Sequence, residues 1–174
     1  MQLFCLYGMA KKKASPRKKV SPIPKGYHSV TPGLAVRDAV QALEFYKKAF
    51  GAKEKMRMPG PDGKIMHAEI MIGDSHIMVG EEMPEMNHLS PQALNGTPVN
   101  LYVYVKNVDK AYDQAVRAGA TVVMPVMDAF WGDRHGALKD PFGHSWGLAT
   151  RKRNLSAKEI KKAAQEWFAQ QAKQ

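Results

Sequence analysis

VRDAVQALEFYKKAFGA, from Val36 to Ala52, is answered 69 residues later by VKNVDKAYDQAVRAGA, from Val105 to Ala120. Each copy follows an alternating, strand-like stretch and precedes two or three more, so the repeating unit is a βαβββ half-domain. One such unit cannot bury its own sheet face. Two must pair, and their pairing makes a pseudo-symmetric cup where a ligand can sit. The expected fold is α+β: two βαβββ modules forming a curled mixed sheet, an open barrel or cup, with helices outside and a C-terminal helix added.

Working outward from the first copy, Tyr27 to Val36 alternates, with Val30, Leu34 and Val36 on one face and Thr31, Gly33 and Ala35 on the other. Asp38 can cap the helix that follows, in which Ala39, Leu43, Tyr46 and Phe50 form a core stripe and Gly51 a stop. Lys53–Met58 reads as a strand, PGPDG at 59–63 as a turn, and Ile65–Ile72 with Ser75–Gly80 as a hairpin around Gly73 and Asp74. In the second copy Val99, Leu101, Val103 and Val105 oppose Asn100, Tyr102 and Tyr104, and the helix presents Val108, Ala111 or Tyr112, and Ala115. Strands are expected near Thr121–Val126, Gly136–Lys139 and Ser145–Thr150. Ser156 and Glu159 form a capping box for an amphipathic helix carrying Ile160, Ala163, Ala164, Trp167 and Phe168. That stripe needs a docking surface, either its own domain or a partner subunit.

The boundaries that follow are a disordered basic arm over 1–25 and a two-module domain over 26–152, with module one at 26–82, a linker or flap at 83–96 and module two at 97–152. The amphipathic helix closes the chain at 153–174. The net charge of +10 belongs to the tails: residues 26–150 hold 12 basic and 14 acidic side chains. A basic groove on the fold is therefore not expected, nor is a nucleic-acid partner. One cysteine, Cys5, provides no disulfide framework and suits a reducing, cytoplasmic setting. No run approaches the roughly 18 apolar residues of a membrane span. Met9 offers an alternative start to Met1.

The strand followed by DAVQALEFYKKAFGA and three more strands, repeated and closed by KDPFGHSWGLAT, resembles the vicinal oxygen chelate superfamily of glyoxalases, extradiol dioxygenases and bleomycin-resistance proteins. HAEIMIGDS, FWGDRHG and DPFGHSW look like its PhnB-like branch. The resemblance implies that metal-dependent members draw four ligands from the first and last strands of each module. Those positions map here to Thr31 and Asn100, taken from the helix motifs, and to Ile77 and Gly147, taken from GDSHIMV against GHSWGLA. None supplies an imidazole or carboxylate. No cofactor is expected. A divalent metal is allowed only at an unconventional position.

The chemistry must then come from other residues. His67 and Glu69 share a strand face and could act as acid and base or hold a metal, or Glu69 could simply pair with a base such as Lys139. The loop Phe130 to His135 gathers Trp131, Asp133, Arg134 and His135 at a hairpin tip. Arg134 could clamp an anionic group with Trp131 as a stacking surface and Asp133 as a further acid or base; an Asp133–Arg134 pair could equally just order the hairpin. Tyr102 and Tyr104, with Thr31 and Asn100, are expected to line the cup. The expected function is binding of an apolar or aromatic small molecule carrying an anionic group, in a homodimer. The alternative is a lyase or isomerase of the same superfamily.

Overall fold

Asp38 and Asn107 open the two duplicated helices in the same way: each side-chain oxygen accepts from the backbone N–H three residues on, at Gln41 and Lys110. The computed structural model describes residues 20–172, and the elements in order are β1 (Gly33–Val36), α1 (Ala39–Phe50), β2 (Lys53–Pro59), β3 (Ile65–Ile72), β4 (Ser75–Glu81), β5 (Asn100–Tyr104), α2 (Val108–Arg117), β6 (Thr121–Asp128), β7 (Asp133–Lys139), β8 (Ser145–Arg151) and α3 (Ala157–Gln171). Most of the expected basic arm, residues 1–19, lies outside the described part.

Two four-stranded sheets result, ordered β1-β4-β3-β2 and β5-β8-β7-β6, with the outer pairs β1–β4 and β5–β8 parallel. The expected pair of βαβββ modules is present. Their sheets do not hydrogen bond to each other, so each module keeps one helix-covered face and one open face. Alternation decides which residues go where. Ala68, Ile70, Ile77 and Val79 of sheet one meet Leu43 and Tyr46 of α1, and Leu138, Trp146 and Leu148 of sheet two share that core with Val108, Tyr112 and Ala115 of α2. The helices touch, and Gln114 Nε2 donates to the carbonyls of Lys48 and Ala49 at the end of α1.

The joint between the modules is a buried carboxylate. Asp140, 4% exposed, accepts from the Tyr46 hydroxyl and Trp146 Nε1 through Oδ2 and from the backbone N–H groups of Phe142 and His144 through Oδ1, all at 2.8–2.9 Å. Packing of Trp146 on Phe50 (4.5 Å between ring centres) completes it. DPFGHSW is thus a structural motif that ties the β7–β8 turn to α1.

Three expectations are corrected. The first strand starts at Gly33 and not at Tyr27, because Pro32 has no N–H to donate and its carbonyl ends the ladder by accepting from Met78 N; Val30 is 82% exposed. Strand β7 starts at Asp133, three residues early, because Ala129–Gly132 form a tight turn in which Gly132 takes φ 102°. Ile77 is not the partner of Gly147. The ladder pairs Gly33 with Met78 and Tyr102 with Gly147, so the 69-residue offset continues through the last strand and Met78 is the equivalent residue, while Ile77 faces the core. The same offset relates Glu81 and Thr150, whose side chains accept from the first backbone N–H groups of α1 and α2.

Helix α3 starts at the expected capping box of Ser156 and Glu159. It docks through Trp167, 5.8 Å from Phe130, and leaves Phe168 exposed.

Candidate functional site

On the open face of sheet two the alternation of β5 and β7 brings Tyr102, Tyr104, Asp133 and His135 together, and the preceding turn adds Trp131. Asp133 is 5% exposed, and its Oδ2 accepts from the Tyr104 hydroxyl at 2.9 Å and from Trp131 Nε1 at 3.1 Å. Tyr104 lies 5.3 Å from Tyr102, and Trp131 4.7 Å from His135, measured between ring centres. Burial, with the nearby Asp133 charge second, pushes the Tyr102 phenol up to about 12. The hydrogen bond to Asp133 raises that of Tyr104, and burial lowers the His135 imidazole below its ordinary value, which keeps it neutral near pH 7.

Arg134 does not join them. Period-two alternation turns it to the helix side, where its guanidinium donates to both carboxylate oxygens of Asp109 at 2.7–3.1 Å and to Asp128 at 3.3 Å. Its pKa is raised by those carboxylates. The expected anion clamp is occupied, and the alternative Asp133–Arg134 pair is absent because the two side chains leave opposite faces of β7.

The open face of sheet one carries His67 and Glu69, with His67 Nε2 3.4 Å from Glu69 Oε1. Glu69 is not paired with Lys139. It accepts from the Tyr27 hydroxyl, and that bond, ahead of the contribution of His67, holds its carboxyl below the ordinary value. A general acid near neutral pH needs the opposite shift. Tyr27 also stacks on His76, with ring centres 4.0 Å apart and planes 20° from parallel. Tyr27 is the contributor that sequence reading missed: it reads only as the head of an alternating stretch, and its partners Glu69 and His76 are remote in the chain. The lowered carboxyl stabilises the fold above its unfolded pKa, a contribution lost as pH falls through the folded value. Tyr27→Phe should therefore raise the Glu69 pKa in a carbon-detected NMR titration and lower the melting temperature most near neutral pH, the difference shrinking in acid. An unchanged Glu69 titration would contradict this.

Between β5 and the β3–β4 turn lies a cleft of about 780 Å³, lined by Thr31, His76, Tyr102 and Tyr104 over an apolar floor of Phe50 and Trp146. Of the expected lining residues, Asn100 is exposed at the start of β5 and lies outside this wall. At the positions where metal-dependent relatives of such a fold hold ligands, the donors are a hydroxyl at Thr31, an amide at Asn100, a thioether at Met78 and no side chain at Gly147. A Cβ at Gly147 would fall 2.6 Å from Cδ2 of Tyr102, so that ring already fills the space a last-strand ligand would enter. Among the described residues no three His, Cys, Asp or Glu side chains converge as a metal set. The residues present do not fit the superfamily's usual metal.

Two βαβββ modules, each with one helix-covered and one open sheet face, define the class of fold. The chain belongs to the Glyoxalase/Bleomycin resistance protein/Dioxygenase superfamily, whose sequence profile matches residues 27–148. An uncharacterised protein of Mycobacterium bovis is 43% identical over 138 residues, covering 78% of this chain and 91% of the relative. TioX from Micromonospora is 28% identical with a TM-score of 0.58, over 70% of this chain and 97% of TioX. A gene product of Arabidopsis thaliana is similar at 28% identity and a TM-score of 0.58, over 71% of this chain and 98% of its own. Among the described residues no helix is long and apolar enough to cross a membrane.

Proposed function

We propose that the chain is a small-molecule-binding protein of the glyoxalase/bleomycin-resistance type that holds an apolar or aromatic ligand without the usual metal. The observation that carries this is the Tyr102 ring seated on Gly147, which replaces a ligand position with an aromatic wall beside the cleft. Tyr102 and Tyr104 supply flat apolar surface with polar tips, and Trp131 and His135 extend it. A thermal-shift screen of aromatic compounds on chelator-treated protein should give stabilising hits that are unchanged by added divalent ions. One tightly held divalent ion per chain in untreated protein, or hits that require the ion, would overturn the reading.

Two copies pair as a homodimer in this proposal, each covering the open face of sheet one of the other. The support is exposed apolar surface on that face: Met56 is 39% exposed and Met58 51%. Met58→Asp should convert the dimer to monomer in sedimentation velocity. A wild-type monomer at high concentration would refute the pairing. The motifs HAEIMIGDS, FWGDRHG and DPFGHSW support placement in the PhnB-like branch, and the single cysteine supports a cytoplasmic setting.

A further inference from the structure

The ligand's charge can be argued from the same open face, on the reading that this face binds a small molecule. Asp133 is buried, its two side-chain donors are the neutral Tyr104 and Trp131, and among the described residues no cationic group lies within salt-bridge distance of it. A phenol or indole N–H that donates to a carboxylate pushes electron density into its ring, and the buried charge sits behind both rings in a poorly screening environment. Aromatic faces attract cations through their quadrupole, and this arrangement strengthens the attraction. His135 is neutral near pH 7 and adds no positive charge. Of the nearby cations, Lys139 is exposed at the far end of β7 and Lys106 lines the adjoining cleft, while Arg151, opposite Asp133 in the ladder and near enough to Tyr104 to act on its phenol, is turned to Asn154 Oδ1, to which it donates at 2.8 Å. Arg134, the one guanidinium in the hairpin, is held by Asp109 and Asp128 on the other face.

We propose that the cluster of Tyr102, Tyr104, Trp131 and His135, backed by the Asp133 carboxylate, selects planar ligands that carry a positive charge, the quaternised nitrogen heteroaromatics being the clearest class. This replaces the anionic group expected from Arg134. The cation lies against the Tyr104 and Trp131 rings, and the remaining apolar part extends over Tyr102 toward the cleft.

Three probes sharing one bicyclic ring separate charge from shape: N-methylquinolinium, quinoline and quinoline-2-carboxylate, titrated calorimetrically into the full chain above pH 7 with tryptophan fluorescence in parallel. The cation should bind about tenfold more tightly than quinoline, and the carboxylate most weakly. Asp133→Asn, checked for folding by circular dichroism, should shrink the cation-to-quinoline ratio severalfold while quinoline binding persists. Arg151→Gln, on an exposed side chain, should tighten the cation and leave quinoline unchanged, which keeps the test alive if the Asp133 variant fails to fold. Equal binding of cation and quinoline would overturn the charge selection while leaving small-molecule binding intact. Tightest binding by the carboxylate, lost in Arg151→Gln, would make the site an anion site. No heat and no quenching from any probe would refute the binding face itself.

Discussion

Asp140→Ala should lower the melting temperature by roughly 6–20 °C, about 3–5 kcal/mol, without any change in the open faces. The carboxylate takes four hydrogen bonds, and each of its donors lies in or beside the joint between the modules. Removing it leaves the Tyr46 hydroxyl and the Trp146 indole N–H, both on fully buried residues, without an acceptor. Asp140→Asn keeps one oxygen but sets an NH2 group against donors, and should cost about 2 kcal/mol. Thermal unfolding followed by calorimetry measures both. A loss of less than about 1 kcal/mol in the alanine variant, the size of one ordinary hydrogen bond, would contradict the role of Asp140 as the tie between modules.

Gly147→Val should damage binding and stability together. Even a Cβ at this position meets Tyr102 Cδ2 at 2.6 Å and Asn100 Nδ2 at 3.3 Å, so the larger side chain must drive the Tyr102 ring off the sheet. Overpacking of this kind costs about 1–3 kcal/mol. Because the displaced ring is a wall of the cleft, affinity for any stabilising aromatic compound should fall at least about tenfold, which corresponds to roughly 1.4 kcal/mol. Tyr102→Ala in the same background should recover the stability but not the binding. Recovery of both would show that Tyr102 is only a spectator of the ligand.

The duplication made the architecture legible because both signals that carry it are local. Helical spacing placed α1 and α2, and period-two alternation placed the core sides of β1 and β5, where Leu34, Val36, Leu101 and Val103 pack in or against the core. Asp38, Gly51 and the Ser156–Glu159 box stand where their capping chemistry places them. Register in the last strands was harder. Matching GDSHIMV to GHSWGLA aligns two turns of different length, Gly73–Asp74 against Asp140–His144, and this shifts the strand by one residue. A one-residue slip exchanges the faces, which is how Ile77 stood in for Met78. The equivalent pair Glu81 and Thr150 shows the true register, since they lie 69 residues apart at the ends of the last strands and each accepts from the first backbone N–H of its module's helix.

The candidate site was legible as a cluster but not as a geometry. Trp131, Asp133 and His135 were singled out by composition, and they do share a surface with Tyr102 and Tyr104. Arg134 was grouped with them because it is adjacent in sequence, yet adjacency within a strand means opposite faces. Its true partner, Asp109, is 25 residues away on α2 and carries no local mark. Tyr27 presents the same difficulty, since its partners Glu69 and His76 are more than 40 residues distant.

The most direct measurement is protein-observed NMR on isotope-labelled, chelator-treated protein titrated with aromatic cations such as N-methylquinolinium. The predicted result is a set of saturable shifts centred on Tyr102, Tyr104, Trp131, His135 and Gly147, unchanged when a divalent ion is added. Shifts that appear only with the ion, or that fall elsewhere on the chain and spare those five residues, would contradict a metal-independent binding face built on sheet two.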